Sequence, residues 1–286
     1  MRRFEFVMVV GLFFCVMILG QNAMAAGSIP VFVSIVPQKY FVEKIGGDLV
    51  KVSILVNPGD SPATYEPKPG QMVALSRAKV YYAIGVPFEK VWLKKIAAAN
   101  PGLLIVHTES GIEKASMKPD QSEGIKDPHV WLSPPLVMVQ ARNMLNALLK
   151  VDPKNASIYE SNYRKFIVEL VDLDAELRGV FFGKGKKIRF MVFHPAWGYF
   201  ARTYGLKMIP VESEGKNPKP AALRRLIGKA REHGINVVFV QPEFSTKSAG
   251  TIAKAIGGQV IFAAPLAADW AYNLKQVAVK FKAALR

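Results

Sequence analysis

Four histidines are spread along this chain, and two stand where an imidazole could do chemistry. His129 lies in Asp127-Pro128-His129-Val130-Trp131-Leu132-Ser133-Pro134, and His194 directly follows the apolar run Lys187–Phe193. An imidazole near neutral pH can offer a nitrogen to a divalent metal or move a proton. Each also has a plain structural role open to it: His129 bonded to loop backbone, His194 at a helix N-cap or beside an anion. His107 ends another apolar run with no motif around it, and His233 ends an amphipathic stretch where a helix dipole favours a cation. Catalysis by His129 or His194 as general base, with Ser133 beside it, is a second reading. Against it, the chain has no nucleophile elbow, no Gly-rich phosphate loop and no carboxylate pair at a plausible spacing, so it reads as a non-enzyme.

The elements that must position the two imidazoles are α/β. Before residue 150, apolar strand patterns at Ile29–Val36, Leu49–Val56, Lys79–Gly85 and Leu103–His107 alternate with helical ones at Gln38–Ile45, 68–78, 87–99 and from Pro134 to about Lys150. After residue 186 the alternation repeats: strands at Lys187–Phe193, Leu206–Val211, Asn236–Val240 and Gln259–Ala263, with helices at 196–204, 221–233, 247–256 and from 269. Such alternation implies right-handed crossovers and parallel sheets covered on both faces, with ligands collecting at the carboxyl ends of the strands. Between the halves, residues 153–182 read as one long helix. Asp152-Pro153 marks its start, and an apolar stripe runs from Tyr159 through Phe166, Leu170, Val171 and Leu177 to Phe181. The expected organisation is a segment 1–26 to be removed, an amino-terminal lobe over 27–152, a connecting helix over 153–182 and a carboxy-terminal lobe over 183–286.

Arg2 and Arg3, the apolar run Val7–Gly20 and Ala23-Met24-Ala25-Ala26 have the form of a cleavable secretory signal, and the run is shorter than the about 20 residues of a membrane span. Export to the periplasm is therefore expected. Cleavage would remove Cys15, the only cysteine, and with it any thiol ligand, nucleophile or disulfide. The formal charge of +16 raises the question of nucleic acid. The basic residues are scattered, with small clusters only at Lys184–Arg189 and Arg224–Arg231, and no aromatic–basic interleaving, so a solvated basic surface is expected instead.

In this order, several motifs resemble those of the periplasmic solute-binding proteins of ABC transporters that import zinc, manganese or iron. Gly46-Gly47-Asp48 with the loop 57–67 is similar to that family's "GGD…LV.PG.DPH.YEP", and Asp127–Pro134 to "DPH.WLDP". Phe193–Phe200 is similar to "FH.A.GYF", and Val238–Phe244 to "VFVEPQF". The resemblance implies two lobes joined by a long helix, a divalent metal as cargo (zinc first, then manganese or iron) and a membrane permease as partner. A monomer that binds no nucleic acid is expected. The family's ligand set carries over unevenly. His129 and His194 match ligand positions, but Ala63 stands where the first histidine belongs and Ala264 where the last aspartate belongs. Zinc prefers four ligands, or three and an exchangeable one, so two imidazoles leave the set incomplete. Glu66, Glu243 or Asp269 could complete it, water could, or the cargo could be a metal chelate bringing its own donors. A further alternative is an exported adhesin or scaffold with a vestigial site.

Overall fold

The computed structural model describes residues 27–117, 125–183, 188–212, 216–244 and 246–284. Residues 1–26, expected to be removed as a signal and carrying Cys15, and most of the basic cluster at 184–189 lie outside them. Two four-stranded sheets, all parallel, carry the chain. In the first, β1 (Ile29–Val33), β2 (Val50–Ile54), β3 (Val80–Ala83) and β4 (Leu104–His107) lie in the order β2-β1-β3-β4. In the second, β5 (Arg189–Val192), β6 (Lys207–Pro210), β7 (Val237–Val240) and β8 (Gln259–Phe262) lie as β6-β5-β7-β8. Each order reverses direction once, beside β1 and β5, and in open α/β sheets that reversal opens a crevice past the strand ends.

Helices α1 (Val36–Gly46), α2 (Pro69–Leu75), α3 (Glu89–Ala99) and α4 (Pro134–Val151) serve the first sheet. α6 (Gly198–Thr203), α7 (Pro220–Glu232), α8 (Lys247–Ala255) and α9 (Trp270–Ala283) serve the second, with α5 (Ala156–Phe181) between the two sets. The helix starts follow from the residues there. Gln38 on α1 turns its Oε1 back to accept the Ser34 and Ile35 amides, and Gln71 on α2 does the same for Lys68, satisfying donors that a helix start leaves open. Gln71 also accepts from the Tyr65 hydroxyl at 2.6 Å and donates to Leu55 O at 2.8 Å, which pins the loop carrying Ala63 to the end of β2.

α5 has 26 residues, about 39 Å at 1.5 Å per residue. Its buried side chains, Tyr159, Phe166, Leu170, Leu173, Leu177 and Phe181, form the expected stripe, while Val171 falls on the solvent side, half exposed. The expected start at Asp152-Pro153 is instead a 3-10 turn over Pro153–Asn155. Asp152 takes no helix amide and accepts from Asn155 Nδ2 and Tyr159 OH, so its carboxylate anchors the turn rather than capping the helix. Early in α5, Phe166 stacks on Phe41 of α1 and Asn162 donates to Ile45 O. Late in α5, Phe181 meets Phe200 of α6 edge-on, and Glu176 pairs with Lys275 of α9. One rod is thus packed against helices of both sheets.

The second sheet shows the two-residue period of a strand buried on both sides. Phe190, Val192 and Phe239 join the main core with α5 and α9, whereas Met191, Phe193, Val238 and Val240 form a separate core under α7 and α8.

Candidate metal centre

Both strand-end crevices open into one cavity of about 490 Å³, walled by segments that leave the carboxyl ends of strands in both sheets. His129 and His194 meet there. Their Nε2 atoms are 3.3 Å apart and their ring centroids 5.1 Å apart.

Each ring is held from behind by a carboxylate. His129 Nδ1 lies 2.7 Å from Asp127 Oδ1, which also accepts the His129 amide at 3.0 Å. His194 Nδ1 bonds Glu212 Oε1. Both carboxylates are buried, directly behind the imidazole pair. A carboxylate partner favours the proton on Nδ1 and leaves the Nε2 lone pair free. Burial pushes the His129 ring below the ordinary imidazole pKa, with Asp127 pulling the other way.

His194 is built on the sheet itself. It follows β5 after one residue, Glu212 follows β6, and the Glu212 amide bonds Phe193 O at 3.0 Å, setting the two strand ends side by side. Gln241, the first residue past β7, grips His194 twice: its Oε1 accepts the His194 amide at 3.2 Å, and its Nε2 donates to His194 O at 2.8 Å. Phe244 stacks on the His194 ring at 4.9 Å between centroids.

His129 hangs on a loop, and the other sheet's residues hold that loop. Tyr199 OH donates to Asp127 O at 3.1 Å and accepts the Ala115 amide at 3.0 Å. A Cβ at Gly198 would come within 2.9 Å of Asp127 Oδ2, so the carboxylate lies close against this backbone. Trp131 Nε1 donates to Pro265 O at 2.8 Å, and Trp270 Nε1 donates to Trp131 O at 2.8 Å. Trp131 packs 5.1 Å from the His129 ring and also forms part of the cavity wall.

The other candidates are placed unevenly. Ala63 borders the cavity; Ala264 does not, although Pro265 and Leu266 do. Of the three acids considered as extra ligands, only Glu243 lines the wall. It is half-buried, and burial raises its pKa while His194 draws it down. Glu66 is exposed and Asp269 sits exposed at the start of α9, neither of them on the cavity wall. His107 does reach the wall, 3.6 Å from Glu109. Ser133 shares its hydroxyl with Thr203 at 2.8 Å. Among the described residues, no three or more His, Cys, Asp or Glu side chains gather as a metal cage.

The carboxylates behind the rings were not picked out from the sequence. Asp127 was legible in principle, two residues before His129 where an Asx side chain reaches the backbone. Glu212 carried a weaker signal, as the second residue past the strand that neighbours β5.

Comparison with known proteins places this architecture. The family described as zinc-uptake complex component A, periplasmic, matches residues 31–283. A crystal structure of ZnuA superposes with a TM-score of 0.86 at 45% identity, covering 90% of this chain and 99% of that one. The high-affinity zinc uptake system protein ZnuA of Bacillus subtilis (strain 168) is 29% identical over 78% of this chain and 74% of its own length. The iron-binding protein YfeA of Yersinia pestis is 28% identical over 76% of this chain and 70% of its own. Two parallel sheets, a rod packed against both and imidazoles meeting at their strand ends therefore belong, together with the sequence that builds them, to the ZnuA family of periplasmic substrate-binding proteins of metal-ion ABC transporters, which are transport components and not enzymes.

Proposed function

We propose that this protein is the exported receptor of a zinc-type importer and that His129 and His194 hold the metal for delivery to a membrane permease. The observation that carries this reading is the 3.3 Å separation of two Nε2 atoms whose Nδ1 partners are both carboxylates. With Nδ1 protonated on each ring, two lone pairs face each other, an arrangement that favours a positive charge between them. An ion about 2.05 Å from each nitrogen would see them at about 107°, close to the tetrahedral angle of about 109° that zinc prefers. Imidazole nitrogen suits zinc, iron and other transition metals far better than calcium or magnesium.

Asp127 and Glu212 offset part of the dication's charge and orient the rings, while Glu243, water or the cargo's own donors complete the coordination. The positions of Ala63 and Ala264 support a site with fewer protein ligands than the family pattern. The test is native mass spectrometry with elemental analysis of protein purified without chelators, beside a His129→Ala, His194→Ala double variant. About one metal per chain in the parent and none in the double variant is expected; equal loading of both contradicts the reading.

A further inference from the structure

We infer that the cargo is a divalent metal already held by a small carboxylate-bearing organic chelator, with the metal on His129 and His194 and the chelator in the cavity beside them. This rests on the metal site proposed above and goes beyond it in naming what else enters.

The first ground is size. An ion carrying two waters fills on the order of 100 Å³ at about 30 Å³ per water. The cavity measures about 490 Å³, within the range of about 300–1,000 Å³ typical of small-molecule sites. The second is donor count. Two protein nitrogens leave about half of a zinc coordination sphere to be filled, and a chelator with two or more oxygens or nitrogens fills it without any further protein ligand. The third is the wall. Leu93, Trp131, Phe244 and Leu266 offer apolar surface that a hydrated ion does not use and an organic skeleton does.

The fourth ground is a charge placed for a carboxylate. Lys114 lines the same cavity with only 19% of its side chain exposed. Its Nζ donates to Ile84 O at 3.2 Å and to Glu109 Oε1 at 3.3 Å. An ammonium has three donors, so one remains for a ligand. A Cβ at Gly85 would approach Nζ to 2.1 Å, so glycine at this position, in a left-handed conformation (φ 81°), lets the ammonium lie against the strand end.

The experiment titrates zinc alone, and zinc premixed with nitrilotriacetate, citrate or L-histidine, into metal-free protein by calorimetry, with native mass spectrometry reading composition. At least one mixture is expected to give a complex of one protein, one zinc and one chelator, with affinity for the loaded metal at least about tenfold above that for zinc alone. Lys114→Met should cost the ternary complex about tenfold and leave zinc alone within about twofold. Tight stoichiometric binding of bare zinc, with all three chelators acting only as competitors, overturns the chelate and leaves the metal receptor standing. So does the absence of a ternary complex with every probe while zinc alone still binds. Zinc uptake in any form that is indifferent to His129→Ala overturns the metal site itself.

Discussion

The two sheets share one strand order, yet they hold their histidines in opposite ways. His194 stands on the sheet: the ends of β5, β6 and β7 contribute the ring, its carboxylate and the amide that clamps its backbone. His129 stands on a loop whose own aspartate supports it at a separation of two residues, and whose remaining anchors, Tyr199, Pro265 and Trp270, belong to the other sheet. The first sheet in turn supplies Lys114, Glu109 and Glu89 to the cavity wall. Repeating an architecture thus does not repeat its chemistry. One sheet carries an imidazole built onto its own strand ends, and the other carries an imidazole whose loop depends on its neighbour, together with the polar wall of the cavity.

The sharpest way to break this comparison is to remove each imidazole alone. His129→Ala and His194→Ala should each lower zinc affinity about 1,000-fold, near 4 kcal/mol, because no cluster of three or more His, Cys, Asp or Glu among the described residues stands in for a lost imidazole. Calorimetry showing that one change is silent would mean that the ion sits on one lobe only.

The next effect concerns Glu89, a buried acid that holds the end of β3, whereas neutral Gln241 follows the end of β7. Glu89 accepts the Ile84 and Gly85 amides at the end of β3, and burial pushes its pKa up to about 7. An acid whose folded pKa is raised above its ordinary 4.5 adds stability fully below that value, and the contribution is lost as pH rises through about 7. Folding stability should therefore decline by on the order of 3 kcal/mol between pH 4.5 and 7 from this group alone. Denaturant melts of Glu89→Gln across this window should show that decline reduced; an unchanged slope would assign it elsewhere.

Smaller changes sharpen the picture behind the rings. Asp127→Asn and Glu212→Gln keep a hydrogen-bond acceptor but remove charge, and each should weaken zinc binding about tenfold. A loss at only one of the two would show that the paired carboxylates are not equivalent. Trp131→Phe deletes the bond to Pro265 O between the loop and the other lobe, and should cost about 1–2 kcal/mol of stability in chemical denaturation. No loss would mean that the loop is held without that link.

Much of this was readable before any coordinates. The alternation of apolar strands and amphipathic helices set His194 just past a strand end and let the segment around His129 reach the carboxyl end of the first sheet, where ligands collect in parallel α/β sheets. The stripe on α5 was visible from Tyr159 to Phe181, but the helix starts later than expected because the Asp152 carboxylate bonds Tyr159, seven residues on, instead of the first helix amides. What stayed hidden depends on strand neighbours. Glu212 lies 18 residues from His194 and reaches it only because β6 pairs with β5. Glu66 and Asp269 looked close to the motifs along the chain but lie outside the cavity, whereas Glu243, three residues past β7, lies within it.

The central claim is that a single ion rests on one imidazole from each lobe. X-ray absorption at the zinc edge of the loaded protein reads this directly. Two imidazole nitrogens at about 2.0 Å, falling to one in either His129→Ala or His194→Ala, is the predicted result. An unchanged imidazole count in both variants would contradict it.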